Sequence, residues 1–280
     1  MIPQREIKRI VREQSIPYQI VEKDYAIGWV LWGIAAIGTL KQGLVFRGGT
    51  ALRKCYFRQY RFSQDLDFTC RREFLPPADL TDRLMAGLVE ASRVAGISLN
   101  LKQVKPKRDE PGEEAFQARI EYNIWGDRRP PLPVIRLDLV YYEVMVDTPV
   151  LRPILHDYSD RFEATLQVYT LEEIAGEKLR ALLQQQAPGR RPRPRDYYDL
   201  WWLFTQQNNA LDGPRIVNIF EKKCQYKHVS FSGVEDFFRP EALTRNRAAW
   251  QSNLKQQLAE LPDFDQAINQ LRTALERLFG

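Results

Sequence analysis

The sequence has little cysteine or histidine and no long apolar run. Its three cysteines, Cys55, Cys70 and Cys224, are far apart and form no C-x-x-C pair. That spacing excludes a disulfide framework and a zinc ribbon, and it favours a reducing, cytoplasmic location. The uncharged stretch from Tyr25 to Leu40 is shorter than the ~20 residues that span a bilayer, so we expect a buried core helix and no membrane partner. The mixed charge of residues 1–9 predicts no secretory signal.

The chain also lacks a strong excess of charge of one sign. Its 280 residues include 41 lysines and arginines against 36 aspartates and glutamates, a formal net charge of +5. A charge this small does not by itself predict a nucleic-acid binder, so the placement of the basic residues matters more than their number. The hydrophobic share of 44% is ordinary for a globular protein and excludes a disordered or fibrous chain.

The residue patterns predict two halves of different structure. Up to about residue 165 they alternate between helices, at 7–14, 20–37, 51–57 and 79–95, and strands, at 43–46, 65–70, 116–125 and 134–143. The polar segment 102–114 is interpreted as a hairpin or flexible loop. From Tyr169 onward the patterns are mainly helical, at 171–186, 196–206, 214–226, 240–261 and 263–279. Strands gathered in one half indicate an α+β fold, with one domain over 1–165 and a helical domain over 166–280.

Two aspartates stand out in the strand predicted at 65–70. Side chains alternate along a strand, so Asp65 and Asp67 project to the same side, while Leu66 and Phe68 face the core. Two carboxylates this close repel each other unless a cation or another partner neutralises them. Mg²⁺ (or Mn²⁺) is a suitable cation, because Mg²⁺ is typically held by one or two carboxylates together with substrate phosphates.

A pair of glycines precedes this strand. Gly48 and Gly49 follow a short apolar strand and lead into a helical segment, for which Thr50 is the expected N-cap. Such a turn leaves backbone N–H groups open to an approaching phosphate. The order of strand, Gly-Gly turn and returning D-x-D strand therefore predicts a site for a triphosphate and a metal ion.

A third carboxylate lies in the apolar strand predicted around residue 138. A charge at Asp138 costs free energy unless it is paired or bound to metal, which makes this residue a candidate third metal ligand. Arg136 lies two residues away on the same face and offers the alternative of a simple ion pair.

The same motifs carry a resemblance to a known family. Gly48-Gly49-Thr50-Ala51-Leu52 and Arg61-Phe62-Ser63-Gln64-Asp65-Leu66-Asp67 resemble the first motifs of the AbiEii toxins, within the polymerase-β-like nucleotidyltransferase superfamily. Three further segments are similar to motifs of that family in the same order: Glu22-Lys23-Asp24-Tyr25, the helix around Glu177-Lys178, and Arg195-Asp196-Tyr197-Tyr198-Asp199-Leu200. The matches extend from about residue 20 to about residue 205.

The resemblance implies a nucleotidyltransferase core, with a mixed sheet, that acts as the toxin of a type IV toxin–antitoxin system in abortive infection and phage defence. It implies metal-dependent transfer of a nucleoside monophosphate from an NTP to an acceptor hydroxyl, in RNA or tRNA, and control by a cognate antitoxin. Metal ligands would be Asp65, Asp67 and Asp138, and nucleotide contacts would come from Gly48, Gly49, Thr50, Ser63 and Lys178.

The C-terminal candidates also have a physical interpretation of their own. Lys178 could bring a positive charge to a nucleotide phosphate, although a lysine at such a position can also be merely solvated. Asp196 and Asp199 lie three residues apart on one helix face. One of them could anchor Lys178 while the other accepts a proton from the attacking hydroxyl. Alternatively, Asp196 only stabilises the helix N-terminus.

The densest basic run lies between the two helices that carry these residues. It contains Arg190, Arg191, Arg193 and Arg195 and suits a polyanion such as an RNA acceptor or a long triphosphate, with a solvated interhelical loop as the alternative. Two other functions stay open: transfer of the nucleotide to a protein or a small molecule, and an inactive module that only binds nucleotide or RNA. Retention of the three carboxylates and Lys178 argues against the inactive module.

Overall fold

The computed structural model describes residues 1–107, 114–141, 143–186, 189–206 and 211–280. The chain forms two compact units. Unit 1 comprises Met1–Glu143 and Pro149–Val168, and unit 2 comprises Val144–Thr148 and Tyr169–Gly280. The domains expected at 1–165 and 166–280 stay a prediction about independently folding parts.

Unit 1 combines helices with a mixed sheet. Its helices in the described residues are α1 (Gln4–Gln14), α2 (Tyr18–Ala36), α3 (Gly38–Gly43), α4 (Gly48–Ala51), which continues as a π-helical turn over Leu52–Tyr56, and α5 (Leu80–Ala95). Its strands are β1 (Leu44–Arg47), β2 (Asp65–Cys70), β3 (Ser98–Lys107), β4 (Ala115–Asn123), β5 (Val134–Val140), β6 (Val150–Pro153) and β7 (Thr165–Val168).

The seven strands form one sheet in the order β3-β4-β5-β2-β1-β7-β6. The pairs β2–β5 and β1–β7 are parallel and the other neighbours are antiparallel. Burial alternates along the two central strands, with Leu66, Phe68, Leu137 and Leu139 fully buried. The positions between them are polar over 65–67 and 136–138 and retain exposed surface. This alternation places the predicted catalytic carboxylates on the polar face of the sheet.

Helix α2 forms much of the core of unit 1. Its residues from Tyr25 to Leu31 are buried, which confirms the expected core helix. Gly33 lies against α5, because a Cβ on it would be 2.5 Å from the carbonyl oxygen of Gly87. The two helices therefore cross at backbone contact, which any larger side chain would prevent. No helix in the described residues has the length and apolar run needed to cross a membrane.

Unit 2 is built from helices. Its described residues form α6 (Leu171–Gln184), α7 (Pro194–Trp201), which continues as a π-helical turn over Trp202–Gln206, α8 (Gly213–Tyr226), α9 (Pro240–Leu254) and α10 (Phe264–Phe279). The N-cap of α6 is Thr170, whose side chain accepts a hydrogen bond of 3.1 Å from the backbone N of Glu173. Gly176 of α6 allows a close approach of α8, since a Cβ there would be 2.7 Å from Ile219 Cγ2.

Several elements differ from the predictions. Of the two alternatives for 102–114, the structure agrees with the hairpin and not with the flexible loop: residues 102–107 belong to the edge strand β3, which can be polar on both faces, and pair antiparallel with β4. Residues 108–113 lie outside the described part of the chain. Strands β6 and β7 have four residues each, too few for a recognisable period. The strand expected to reach residue 143 ends at Val140, and residue 142 is not described. The helix expected to reach residue 261 ends at Leu254, a short 3₁₀ turn follows, and Leu258 is extended.

Candidate active site

Three candidate carboxylates of unit 1 lie on the same face of the sheet. Asp65 and Asp67 are on β2, with the fully buried Leu66 between them pointing the other way. Strand β5 runs parallel beside β2 and places Asp138 directly opposite Asp67. Chain segments about 70 residues apart in sequence thus bring carboxylates onto neighbouring strands, about 5 Å apart at the backbone.

The partners of Asp138 differ from the expected one. Its carboxylate accepts hydrogen bonds from Lys107 Nζ, at 2.9 Å, and from Gln117 Nε2, at 2.8 Å. Arg136 is exposed and does not pair with Asp138, so the alternative of an Arg136–Asp138 ion pair is wrong. Strands β3 and β4, which pair beside β5, bring Lys107 and Gln117 close to Asp138. The spacing of residues within β5 contains no information about these partners.

The Gly-Gly turn touches the D-x-D strand. Gly48 begins α4 with φ +77°, a left-handed conformation that favours glycine. A Cβ on Gly48 would lie 2.9 Å from Asp67 Oδ2, so a side chain at this position would force the Asp67 carboxylate to shift. Gly49 follows within α4. Turn and carboxylate are therefore direct neighbours, as the order of the motifs predicted.

Thr50 has a different local role from the expected N-cap. Helix α4 begins at Gly48 with Arg47 at the N-cap position, so the N-cap prediction is wrong. The buried Thr50 hydroxyl donates to the backbone oxygen of Asp65, at 2.5 Å, and lies 2.7 Å from Ser63 Oγ. Thr50 and Ser63 thus connect the Gly-Gly turn to the start of β2.

The donor set of β2 suits a divalent metal ion. Asp65 and Asp67 offer hard oxygen ligands on one face, next to a turn whose backbone favours glycine. Within the described ranges, no group of three or more His, Cys, Asp and Glu residues is arranged for metal binding. The fit therefore depends on the two carboxylates of β2, and a third ligand at Asp138 stays a prediction.

The segment Glu22-Lys23-Asp24-Tyr25 contains two buried acidic residues, Glu22 and Asp24. Asp24 binds Arg53 Nε at 2.9 Å and Lys54 Nζ at 2.6 Å, and it accepts a hydrogen bond from Tyr158. Burial by itself would raise the pKa of Asp24, but the charges of Lys54 and Arg53 outweigh burial and hold the pKa well below its ordinary value. The ion pairs attach α2 to the π-helical turn after the Gly-Gly motif, a role that the motif match did not reveal.

In unit 2, Lys178 binds two aspartates. Its Nζ lies 2.6 Å from Asp196 Oδ1 and 2.8 Å from Asp199 Oδ2. Both carboxylates therefore anchor the lysine, whereas the sequence hypothesis gave that role to one of them. The Asp199 side chain is 0% exposed, while Asp196 retains 14% and also binds Arg193 at 3.0 Å. Burial would raise the pKa of Asp196, but Lys178 and Arg193 hold it below its ordinary value.

A second lysine of unit 2 escaped the sequence interpretation. Lys223 on α8 is fully buried and binds Glu173 Oε1 at 2.7 Å and the backbone oxygen of Val144 at 2.7 Å. Glu173 also accepts a hydrogen bond of 2.9 Å from the backbone N of Asp147. The acidic residues of α6 thus bind α8 and the segment 144–148. A lysine in a helical pattern normally indicates an exposed position, so no sequence signal marks Lys223.

The arginines of the basic run before α7 differ in exposure and in their partners. Arg190 and Arg191 are exposed, and Arg195 is half-buried. The backbone N of Arg193 donates to Asn246 Oδ1 at 2.7 Å and to Gln185 Oε1 at 3.1 Å, while its side chain binds Asp196. Contact with RNA through these arginines stays a prediction.

The candidate residues thus form two groups. Gly48, Gly49, Thr50, Ser63, Asp65, Asp67 and Asp138 belong to unit 1, and Lys178, Asp196, Asp199 and the four arginines belong to unit 2. Within each unit the structure brings together residues that are distant in sequence.

The chain has the fold of known nucleotidyltransferase toxins. It is similar to MenT4, a nucleotidyltransferase toxin from Mycobacterium tuberculosis, with a TM-score of 0.60 and 20% identity over 100% of both chains. It is also similar to JHP933 from Helicobacter pylori, with a TM-score of 0.57 and 15% identity over 94% of this chain and 93% of the other. Identities this low establish the fold alone. No curated protein sequence matches the chain significantly.

The family follows from a sequence model. The model of the nucleotidyl transferase AbiEii toxin, of type IV toxin–antitoxin systems, matches residues 29–270. The chain therefore belongs to the AbiEii family: it is a nucleotidyltransferase and the toxin of a type IV system. The resemblance, the α+β fold with a C-terminal helical part, and the enzyme class predicted from the sequence are confirmed.

Proposed function

We propose that this enzyme, with Mg²⁺ or Mn²⁺, transfers a nucleoside monophosphate from an NTP to a hydroxyl of an RNA acceptor and releases pyrophosphate. tRNA is the acceptor expected. The observation that carries the proposal is the contact between Gly48 and Asp67, which joins a turn suited to phosphate with a pair of carboxylates suited to a metal ion.

The carboxylates and the turn have separate tasks in this reaction. Asp65 and Asp67 would hold the divalent cation, with Asp138 as the third ligand. Lys107 and Gln117 donate hydrogen bonds to the Asp138 carboxylate and fix its position. A cation bound there would neutralise the triphosphate and would stabilise charge on the leaving pyrophosphate. The backbone N–H groups of Gly48 and Gly49 face the phosphates at the start of the continuous helical segment 48–56.

Thr50 and Ser63 position the turn. Because Thr50 donates to the backbone oxygen of Asp65, any movement of the Gly-Gly turn moves the first metal ligand with it. Rigid coupling of this type supports catalysis by positioning, which is the main contribution of a protein to phosphoryl transfer. The nucleotide contact proposed for Ser63 would lie beside the Gly-Gly turn, because Ser63 Oγ lies 2.7 Å from the Thr50 hydroxyl.

Lys178 completes the proposed set of catalytic residues. Its ammonium, held by Asp196 and Asp199, brings positive charge to a nucleotide phosphate. The exposed Arg190 and Arg191 add positive charge that favours a polyanionic acceptor. A cognate antitoxin restrains the enzyme, and the cytoplasm is its site of action.

The test is incubation of the protein with each labelled NTP in turn, Mg²⁺ and total tRNA. Label should appear on RNA with the wild type, and the variant Asp65→Asn/Asp67→Asn should lose it. Asp82→Asn, which removes an exposed aspartate on α5, is the matched control and should keep full activity. Removal of the metal with EDTA should stop transfer, and Mg²⁺ should restore it.

Two results would contradict the proposal. Label on a protein or a small molecule, with none on RNA, would identify another acceptor class. Absence of any label with every NTP, together with measurable NTP binding, would indicate a binding module without catalysis.

A further inference from the structure

Two arginines of unit 1 lie in the same row of the sheet as Asp65. In the antiparallel register of β4 and β5, Arg119 is directly opposite Arg136. In the parallel register of β2 and β5, Arg136 is in turn opposite Asp65. Gln117, two residues before Arg119, donates to Asp138, so both arginines are on the face that carries the D-x-D carboxylates.

This arrangement is costly for the protein alone. Like charges directly opposite each other on neighbouring strands destabilise a sheet. Both arginines are exposed, and among the residues that the structure describes neither side chain has a carboxylate or hydrogen-bond partner. In the adjacent row, by contrast, Asp138 is neutralised by Lys107. An uncompensated pair of guanidinium groups indicates an anionic ligand, since Arg binds phosphate through paired hydrogen bonds.

The strand order separates the arginine pair from the Gly-Gly turn. The Gly-Gly turn follows β1, which lies on one side of β2, whereas Arg136 and Arg119 are on β5 and β4, on the other side. In phosphoryl transfer the attacking and leaving oxygens are roughly in line across the transferred phosphorus. If the triphosphate lies over the Gly-Gly turn, the acceptor approaches from the side of the arginines.

We propose that Arg119 and Arg136 form an anion site that binds a backbone phosphate of the RNA acceptor beside its attacking hydroxyl. The inference depends on the proposed function for the identity of the acceptor. With strands about 5 Å apart, the backbone positions of Arg136 and Arg119 lie about 5 and about 10 Å from the backbone of β2. That distance suits a nucleotide next to the reacting one rather than the NTP on the Gly-Gly turn.

The experiment compares the full-length wild type with Arg119→Gln/Arg136→Gln. Binding of a labelled single-stranded RNA with a free 3′ hydroxyl is followed by fluorescence anisotropy as a function of salt. Affinity should fall about 10-fold, and the slope of log K against log salt should fall in magnitude by about 0.7, the change for one phosphate charge on a single strand. The KM for the RNA acceptor should rise, with the KM for NTP unchanged.

Three controls isolate the site. Arg83→Gln/Arg93→Gln removes two exposed arginines from α5 and should leave RNA affinity unchanged. Arg119→Lys/Arg136→Lys keeps the charge and should keep the salt slope. Arg119→Gln alone should raise the Tm of the ligand-free protein, because the repulsion with Arg136 is removed; a ligand-independent structural role would lower it.

The outcomes separate this inference from the proposed function. Equal RNA affinity of wild type and Arg119→Gln/Arg136→Gln would overturn the anion site. A loss of NTP affinity with RNA affinity unchanged would also overturn it, since the pair would then bind the triphosphate. If the wild type transfers no nucleotide to RNA but the double variant still loses RNA binding, the proposed function fails and the anion site stands.

Discussion

At the scale of single residues, Gly48 determines how close the turn comes to the metal ligands. Its φ of +77° is one demand for glycine, and the 2.9 Å that would separate a Cβ atom at this position from Asp67 Oδ2 is another. The first is a property of the backbone and the second a property of the site. The two effects can be separated by comparison with a glycine that has a positive φ but no close neighbour at its Cβ position.

We predict that Gly48→Ala lowers the free energy of unfolding by about 1–2 kcal/mol, the cost of a left-handed alanine, and also reduces nucleotide transfer. Gly96→Ala is the control, because Gly96 has φ +68° and no neighbour within 4 Å of its Cβ position. It should have a similar stability loss with normal activity, measured by urea unfolding and by the labelled-NTP assay. Equal activity of the two variants would contradict a role of Gly48 at the site.

Asp24 is the shared ion-pair partner of the two basic residues in the π-helical turn after the Gly-Gly motif. It is buried and neutralises both Arg53 and Lys54. Its neighbour Glu22 binds Arg128 at 2.8 Å, but burial outweighs that partner and raises the pKa of Glu22. The two acidic residues of one motif therefore make opposite electrostatic contributions.

We predict that Asp24→Asn lowers the free energy of unfolding by about 3–5 kcal/mol, because it leaves the buried Lys54 and the partly buried Arg53 without their shared carboxylate. Glu22→Gln, the matched control, should cost far less, since its charged form is already disfavoured by burial. Chemical denaturation at pH 7 measures both. A loss for Glu22→Gln as large as that for Asp24→Asn would contradict this assignment.

The pH dependence of stability follows from the same group. The pKa of Asp24 is lower in the folded protein than in the unfolded chain, where it is about 3.9. Its stabilising contribution is therefore complete above about pH 4 and is lost as pH falls towards the folded pKa. The difference in unfolding free energy between wild type and Asp24→Asn should shrink below about pH 4. A difference that stays constant down to about pH 2.5 would contradict the ion-pair origin.

At the scale of elements, the crossing of α2 and α5 depends on two glycines. A Cβ on Gly33 would be 2.5 Å from the Gly87 carbonyl oxygen, and a Cβ on Gly87 would be 2.7 Å from the Gly33 carbonyl oxygen. In each case the obstacle is backbone, which cannot move aside as a flexible side chain can. The helices can therefore accept a larger residue only by separating.

We predict that Gly33→Ala lowers the free energy of unfolding by about 1–3 kcal/mol through overpacking. Gly38→Ala is the control, because the Cβ position of Gly38 has no neighbour within 4 Å. That variant should be neutral or slightly more stable, since alanine is the better helix former. Urea unfolding of both variants is the measurement, and equal stability of the two would show that the helices separate without cost.

At the scale of the whole molecule, the candidate residues are divided between two compact units. Unit 1 carries the D-x-D strand and the Gly-Gly turn, and unit 2 carries Lys178 with its two aspartates. The family model extends over both units, from residue 29 to residue 270. The functional test at this scale is whether transfer depends on residues of both.

We predict that Lys178→Gln reduces transfer by about 10²–10³-fold, the usual loss on removing a group that stabilises transition-state charge. Lys222→Gln, which removes an exposed lysine of α8, should have no effect. Activity is to be expressed per folded molecule, because Lys178→Gln also leaves Asp196 and Asp199 without their cation. Normal activity of Lys178→Gln would restrict the catalytic residues to unit 1.

Local sequence patterns were sufficient for some of these features. The alternation over 65–70 determined that Asp65 and Asp67 share a face, and the order of the glycine and aspartate motifs determined the enzyme family. The uncharged stretch in α2 determined a buried helix. These features depend on residues close in sequence, whose spacing has a direct geometrical meaning.

Other features were decided by tertiary structure alone. The strand register placed Asp138 opposite Asp67 and Arg136 opposite Arg119. As a result, Asp138 forms its ion pair with Lys107 and not with Arg136. Tertiary structure also determined that the Thr50 hydroxyl donates a hydrogen bond to the backbone oxygen of Asp65 in β2. Register and burial depend on contacts between segments far apart in the chain, so the spacing of residues within any one segment contains no information about them.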